Sequence, residues 1–281
     1  MIYTTLVSAA TLQKNLDNPN WVIVDCRFSL SDAEAGAYAY RHGHIPDARY
    51  AHLDKDLSSA ITRNTGRHPL PDFRLLAKKL GAWGINNNSQ VVAYDDAGGA
   101  FAGRLWWLLR CLGHEHVAVL DGGIKYWQKL GFPVNTTLPV IKPAIFRPYV
   151  NTACWLNALQ VQNGLAQGSI CLIDARTPER YRGEQEPIDP VAGHIPHALN
   201  RAFQLNLDKS GLFLSTEQLR DQFSRLIGDA APEQVVHTCG SGVTACHNVL
   251  AMEHAGLTGS KLYAGSWSEW IRDKNRPVAL G

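Results

Sequence analysis

Val235-Val236-His237-Thr238-Cys239-Gly240-Ser241-Gly242-Val243-Thr244-Ala245-Cys246-His247 is the stretch on which the fold turns. Two β-branched residues end a short apolar run, as in a buried strand. A cysteine follows, then Gly240-Ser241-Gly242, then a segment over 243–255 that reads as a helix. A strand that runs into a cysteine and a glycine-rich turn puts the sulfur at a helix N-terminus. The turn's open N–H groups and the helix dipole favour negative charge there. The thiolate is the reactive form of cysteine, so this position suits a nucleophile. The glycines let successive N–H groups curl inward around the sulfur. A structural cysteine beside a turn is the competing reading, but buried packing cysteines seldom sit between a strand end and Gly-x-Gly.

Working outward, the same order of signals occurs twice. In the first half, a helix is expected over 6–16 with Ser8 as its cap, then a strand at Trp21–Asp25 followed by Arg27. Gly43-His44-Ile45-Pro46, a helix over 73–80, a strand at Gln90–Tyr94, a helix over 101–112 and a strand at Val117–Leu120 follow. In the second half Arg176 repeats Arg27, Gly193-His194-Ile195-Pro196 repeats the loop, Gly256 repeats Gly113 and Trp270 repeats Trp127. The offset is 149 to 150 residues early and 143 late. Self-similarity over this length means two copies of one domain. Short apolar strands alternating with helices mean α/β units around a mainly parallel sheet. The expected domains are residues 1–138 and 152–281, joined by a semi-rigid linker over 139–151 that holds Pro139, Pro143 and Pro148.

Composition narrows the function. The 281 residues suit two ordinary domains, and a hydrophobic fraction of 45% supports real cores. A net charge of +2 points away from nucleic acid as a partner. The N-terminus has no basic stretch followed by an apolar one, so no signal peptide is expected, and no apolar run is long enough to span a membrane. Six scattered cysteines without CxxC pairing suggest a reducing, cytoplasmic setting and no zinc site. No cofactor is expected.

Cys239-Gly240-Ser241-Gly242-Val243-Thr244-Ala245 resembles the active-site loop of the mercaptopyruvate sulfurtransferases, within the rhodanese superfamily. Leu262-Tyr263-Ala264-Gly265-Ser266-Trp267-Ser268-Glu269-Trp270 is similar to that family's closing motif. The resemblance implies an α/β fold of tandem rhodanese-like domains. The first is catalytically silent and supplies one wall of the cleft. Counting back from Gly256 and Gly113 puts Asp96 in the place of Cys239, so only the second copy carries a thiol.

The chemistry implied is nucleophilic catalysis in two halves. The Cys239 thiolate attacks the sulfur of a donor and keeps it as a persulfide; an acceptor thiol, or cyanide, then removes it. The N–H groups of Gly240, Ser241, Gly242, Val243 and Thr244 would stabilise both anions. From its position alone Ser241 is either a turn residue capping the helix or a hydroxyl that touches sulfur and relays a proton. The resemblance implies the second, with His68 and Asp54 as its partners. It also matches Arg180 to an arginine that binds the donor carboxylate, bidentately by its geometry. Arg182 reads as a solvated surface residue. Where the family commonly has a second arginine after a Glu-Pro pair, Glu186-Pro187 is followed here by Ile188.

Asp25 with Arg27, Asp174 with Arg176, His44 and His194 recur in both copies and read as structural. Cys246, two helical turns beyond Cys239, reads as a packing residue or a resolving thiol. A thiol phosphatase would need an arginine where Ala245 stands. A thiosulfate-specific enzyme would carry basic residues after the cysteine, whereas Gly240 and Ser241 are neutral and suit a donor with one carboxylate. The expected activity is sulfur transfer from 3-mercaptopyruvate, with thiosulfate as the alternative donor and a passive persulfide carrier as the alternative class. The expected acceptor is a thiol, thioredoxin-like among the choices.

Overall fold

The structure is a computed structural model describing residues 2–281. Its described residues form two compact units. One comprises residues 2–59, 70–151 and 209–213; the other comprises 60–69, 152–208 and 214–281.

The first unit holds a five-stranded sheet of β1 (Leu6–Val7), β2 (Trp21–Asp25), β3 (Arg49–Tyr50), β4 (Gln90–Tyr94) and β5 (Val117–Leu120). The second repeats it with β6 (Trp155–Leu156), β7 (Cys171–Asp174), β8 (Leu199–Asn200), β9 (Val235–Thr238) and β10 (Lys261–Tyr263). The orders are β1-β5-β4-β2-β3 and β6-β10-β9-β7-β8, and every strand pair is parallel. Parallel strands are covered on both faces by helices, which is why β4 and β9 are buried along their whole length. Leu12, Ile23, Val92 and Trp127 meet in one core; Val161, Leu172, Val236, Trp267 and Trp270 meet in the other.

The long strands fall where the hydrophobic runs predicted them. The first element differs: Leu6 and Val7 form an edge strand paired with Val119 and Leu120, and the helix is only Ala9–Gln13. Ser8 does cap it, accepting the N–H of Thr11. Pairing with β5 satisfies backbone groups that a longer helix would have taken, so tertiary contact overrides the apolar spacing. Residues 139–151 contain no helix or strand. They run along the first unit, where Ala144, Tyr149 and Asn151 donate N–H bonds to Gly81, Leu112 and Cys111.

The repeated Asp–Arg pairs brace each sheet. Arg27 pairs with Asp25 at 2.6 Å and Arg176 with Asp174 at 2.7 Å. Each guanidinium also donates at 2.7 Å to a loop carbonyl, that of Gly43 or Gly193. His44 and His194 stack on Tyr40 and Tyr181 and bond backbone carbonyls. These groups fix the loops that follow β2 and β7.

Candidate active site

In each sheet the chain leaves β2 or β7 for one edge strand and returns on its other side as β4 or β9. The carboxyl ends of those two neighbours form a topological switch point, where α/β sheets bind ligands. Asp174 is in register with Thr238, so the residue after β9 emerges there: Cys239.

The loop holds Cys239 at both ends of its backbone. Its N–H donates to Ser266 Oγ at 3.1 Å, and its carbonyl accepts from Trp267 N–H at 3.0 Å. Its sulfur accepts the Gly242 N–H at 3.2 Å. Gly242 has φ +77°, and a Cβ there would stand 2.2 Å from the Ala264 carbonyl oxygen, so no other residue fits. Val243 and Thr244 accept N–H bonds from Cys246 and His247, opening the helix Ala245–His254. The helix therefore starts two residues later than its composition suggested, because Gly240–Thr244 is spent on the curl around the sulfur.

The first unit shows what this loop does to an anion. Asp25 pairs with Tyr94 as Asp174 pairs with Thr238, so Asp95 corresponds to Cys239. The helix-side contacts agree: Ile124 N–H bonds the Asp95 carbonyl as Trp267 N–H bonds that of Cys239. This corrects the sequence reading, which placed Asp96 there. The loop of the first unit runs from Asp95 to a helix starting at Ala102, one residue longer than Cys239 to Ala245, so counting back from the helix lands one residue late. The fully buried Asp95 carboxylate accepts N–H bonds from Ala97, Gly99, Phe101 and Ala102 at 2.8 to 2.9 Å. A carboxyl group thus fills the N–H cradle of the first unit.

Of the residues expected around Cys239, the second unit brings Ser241, His68 and Arg180 together. Residues 60–69 belong to this unit. A Cβ at Gly66 would stand 2.5 Å from the Gly265 carbonyl, and Arg67 N–H donates to Ser268 Oγ at 3.1 Å. That anchorage presents His68, whose Nδ1 shares a 2.7 Å hydrogen bond with Ser241 Oγ; both side chains are buried. Asp54 lies in the first unit, exposed on the short helix Leu53–Asp56, with its N–H bonded to His52 Nδ1.

Arg180 sits on the helix Pro178–Arg182 with its guanidinium forked onto Glu186 and its second nitrogen 3.3 Å from Asp189. Arg182 pairs with Glu184 at the surface, as expected of a solvated residue. Glu186 also meets Arg176 at 3.3 Å, and Asp189 forms a close ion pair with Arg67. Burial pushes Glu186 up, but the bonds from Arg180 and two loop N–H groups outweigh it and hold it below the ordinary glutamate range. For Asp189 burial wins and the carboxyl is raised, with Arg67 offsetting only part and Glu186 adding repulsion.

The family described as "Rhodanese-like domain" matches residues 8–130 and 157–273, one match in each half of the chain. The chain belongs to the rhodanese family. This rhodanese-family chain is 48% identical to the "Probable 3-mercaptopyruvate sulfurtransferase" of Pseudomonas aeruginosa over 98% of both chains. It is 32% identical to the thiosulfate sulfurtransferase of Mus musculus over 97% of this chain and 93% of that one. Among solved structures it is similar to a 3-mercaptopyruvate sulfotransferase of Escherichia coli (TM-score 0.81, 29% identity, 95% of this chain and 100% of that one).

Two contributors escaped sequence reasoning. Arg67 carried a usable signal, its place next to His68. Ser266 carried a subtler one: it stands at φ +53° where the first copy has Gly123 at φ +57°. A non-glycine residue there is strained, and its hydroxyl, donating to the Tyr263 carbonyl at 2.9 Å while accepting from Cys239, holds it in place.

Proposed function

We propose that this protein is a sulfurtransferase that takes sulfur from 3-mercaptopyruvate, carries it as a Cys239 persulfide and passes it to a thiol. The observation that carries this reading is the Gly242 N–H aimed at the Cys239 sulfur in a loop whose duplicate holds a carboxylate.

In the first half-reaction the Cys239 thiolate attacks the donor sulfur. An S–S bond forms and the C–S bond breaks, with its electron pair going to carbon. The donor's thiol proton ends on that carbon, so pyruvate leaves and the persulfide keeps the negative charge. Ser241 and His68, 2.7 Å apart, are the groups that hold and move that proton. The resemblance assigns Asp54 to the same relay, and Asp54→Asn tests it separately. The loop N–H groups stabilise thiolate and persulfide alike. In the second half an acceptor thiolate attacks the outer sulfur and restores Cys239. The acceptor is a small thiol or a thioredoxin-like protein. The described cysteines are all free, which suits a reducing, cytoplasmic setting.

The donor assignment rests on charge. Arg67, Arg176 and Arg180 face Asp174, Glu186 and Asp189, so the cluster is balanced when all six are ionised. A balanced cluster with directional donors suits a single carboxylate more than a dianion. Thiosulfate is the second reading, favoured by the presence of two partly exposed guanidiniums, Arg67 and Arg180, at the loop. The test is mass spectrometry of the protein after each donor, with steady-state rates for both. One added sulfur on Cys239 and a higher kcat/KM for mercaptopyruvate are expected. No sulfur transfer from either donor overturns the reading.

A further inference from the structure

Two guanidiniums converge on the α-carbon of Gly240. A Cβ built there would stand 2.9 Å from an Arg67 nitrogen and 3.6 and 3.7 Å from the two terminal nitrogens of Arg180. They come from distant parts of the chain, Arg180 from the helix after β7 and Arg67 from the 60–69 segment. Each side chain keeps some exposure, 23% and 17%. Between them lies one buried carboxylate: Asp189 gives one oxygen to Arg67 and the other to Arg180. Its side chain is only 3% exposed. Asp189 is thus already held as a carboxylate in a fork made by two arginines, one residue from the nucleophile. Of the two acids paired with Arg180, Glu186 and Asp189, it is also the less comfortable anion, as its burial dominates.

Resting on the donor reading above, we infer that Arg67 is the second donor-binding cation. Arg67 and Arg180 together grip the carboxylate of mercaptopyruvate, and Asp189 occupies the same fork until the donor arrives. Arg180 alone is bound side-on by Glu186 and has its second nitrogen shared with Asp189, so it offers a donor only part of its fork. Arg67 makes no bond to Glu186 among those described, and its side chain is the more open of the two. A donor carboxylate that trades places with Asp189 keeps two charge-assisted partners. It lies against Gly240, where any side chain would crowd the two guanidiniums that hold it.

This arrangement predicts opposite effects for two substitutions. Arg67→Ala removes one of two cations and should raise the KM for mercaptopyruvate about 10- to 100-fold, more than it lowers kcat. Asp189→Asn removes the competing charge and should lower that KM roughly 3- to 10-fold. The inhibition constant of pyruvate, a carboxylate without the sulfur, should move in the same directions. If Arg67 only braced the loop through Asp189, both variants would raise KM alike. The experiment is steady-state kinetics of wild type, Arg67→Ala, Arg67→Lys and Asp189→Asn with cyanide as fixed acceptor, plus pyruvate inhibition. Should Arg67→Ala fail to fold, Arg67→Lys carries the test, with a smaller rise in KM because an ammonium cannot fork a carboxylate. Equal KM in all variants, or a rise in Asp189→Asn matching that of the arginine variants, overturns the inference. A wild type that does not turn over mercaptopyruvate overturns the donor assignment itself, a separate outcome visible before any variant is made.

Discussion

Asp95 and Cys239 occupy the same position in the two copies, the first residue beyond the central strand, and each is the acceptor of its own loop. The two copies answer one electrostatic demand differently. Four N–H groups converge on the Asp95 carboxyl, which fills the centre of its loop. A cysteine satisfies the same loop with a sulfur that can still react.

Asp95 should therefore be a stability residue. Asp95→Asn replaces an all-acceptor carboxylate by an amide whose NH2 faces two N–H donors. We expect a loss on the order of 2–4 kcal/mol in chemical denaturation. Persulfide formation on Cys239 should persist at low temperature. A variant as stable as wild type would show that the four bonds matter little.

Cys239 should be the sole catalytic sulfur. Cys239→Ser abolishes transfer, whereas Cys26→Ser and Cys246→Ser retain most of it. Burial pushes the Cys26 thiol well up, and Asp25, Asp95 and Asp56 add to this, so it is a poor nucleophile. Cys246 donates its S–H to the Gly242 carbonyl at 3.4 Å and packs inside the helix. Mass spectrometry after donor treatment checks this; persulfide on another cysteine with Cys239 unmodified contradicts it.

His68 and Ser241 should act as a pair. Ser241→Ala or His68→Asn is expected to lower kcat for mercaptopyruvate roughly 10²- to 10⁴-fold, the usual range for general acid–base groups. The double variant should cost little more than either single one, because each works through the other. A fragment of residues 152–281 lacks both His68 and Arg67 and should turn over poorly even if folded. Additive losses in the double variant would separate the two roles.

Arg180 should set donor choice. Its removal costs a forked contact, roughly 30- to 1,000-fold in kcat/KM for mercaptopyruvate, with partial recovery in Arg180→Lys. Gly240→Arg would drive a side chain into Arg67 and Arg180 and should impair both donors. The ratio of kcat/KM for the two donors in wild type and Arg180→Ala is the deciding measurement. A ratio already favouring thiosulfate and unmoved by the substitution would reverse the assignment.

Acid should destabilise the first unit through His114. Burial lowers its pKa from 6.5 to about 4. A depressed pKa contributes stability that is complete above about 6.5 and lost as pH falls toward 4, on the order of 3 kcal/mol. His237, lowered to about 3 by burial in β9, adds to the same trend in the second unit. Denaturation midpoints measured from pH 7 to pH 4 should fall less steeply in His114→Phe. Equal slopes would remove His114 as the cause.

What the sequence determined by itself was the duplication, the long strands and the place of Cys239 at a strand end before Gly-x-Gly. Trp21–Asp25, Gln90–Tyr94 and Val117–Leu120 were legible because strands buried on both faces must be continuous apolar runs. Cys239 was legible because a thiol between a strand end and Gly-x-Gly is a local pattern. Tertiary structure alone decided the rest. It made Leu6–Val7 a strand, since edge pairing depends on a partner more than a hundred residues away. It moved the counterpart of Cys239 from Asp96 to Asp95, since a one-residue difference in loop length is invisible to spacing but not to strand register. It carried residues 60–69 into the second unit, bringing Arg67 to Asp189 and His68 to Ser241 across separations of 122 and 173 residues. No periodicity encodes such meetings. They follow from the close approach that Gly66 permits at the Gly265 carbonyl, a contact set by packing rather than by neighbours in the chain.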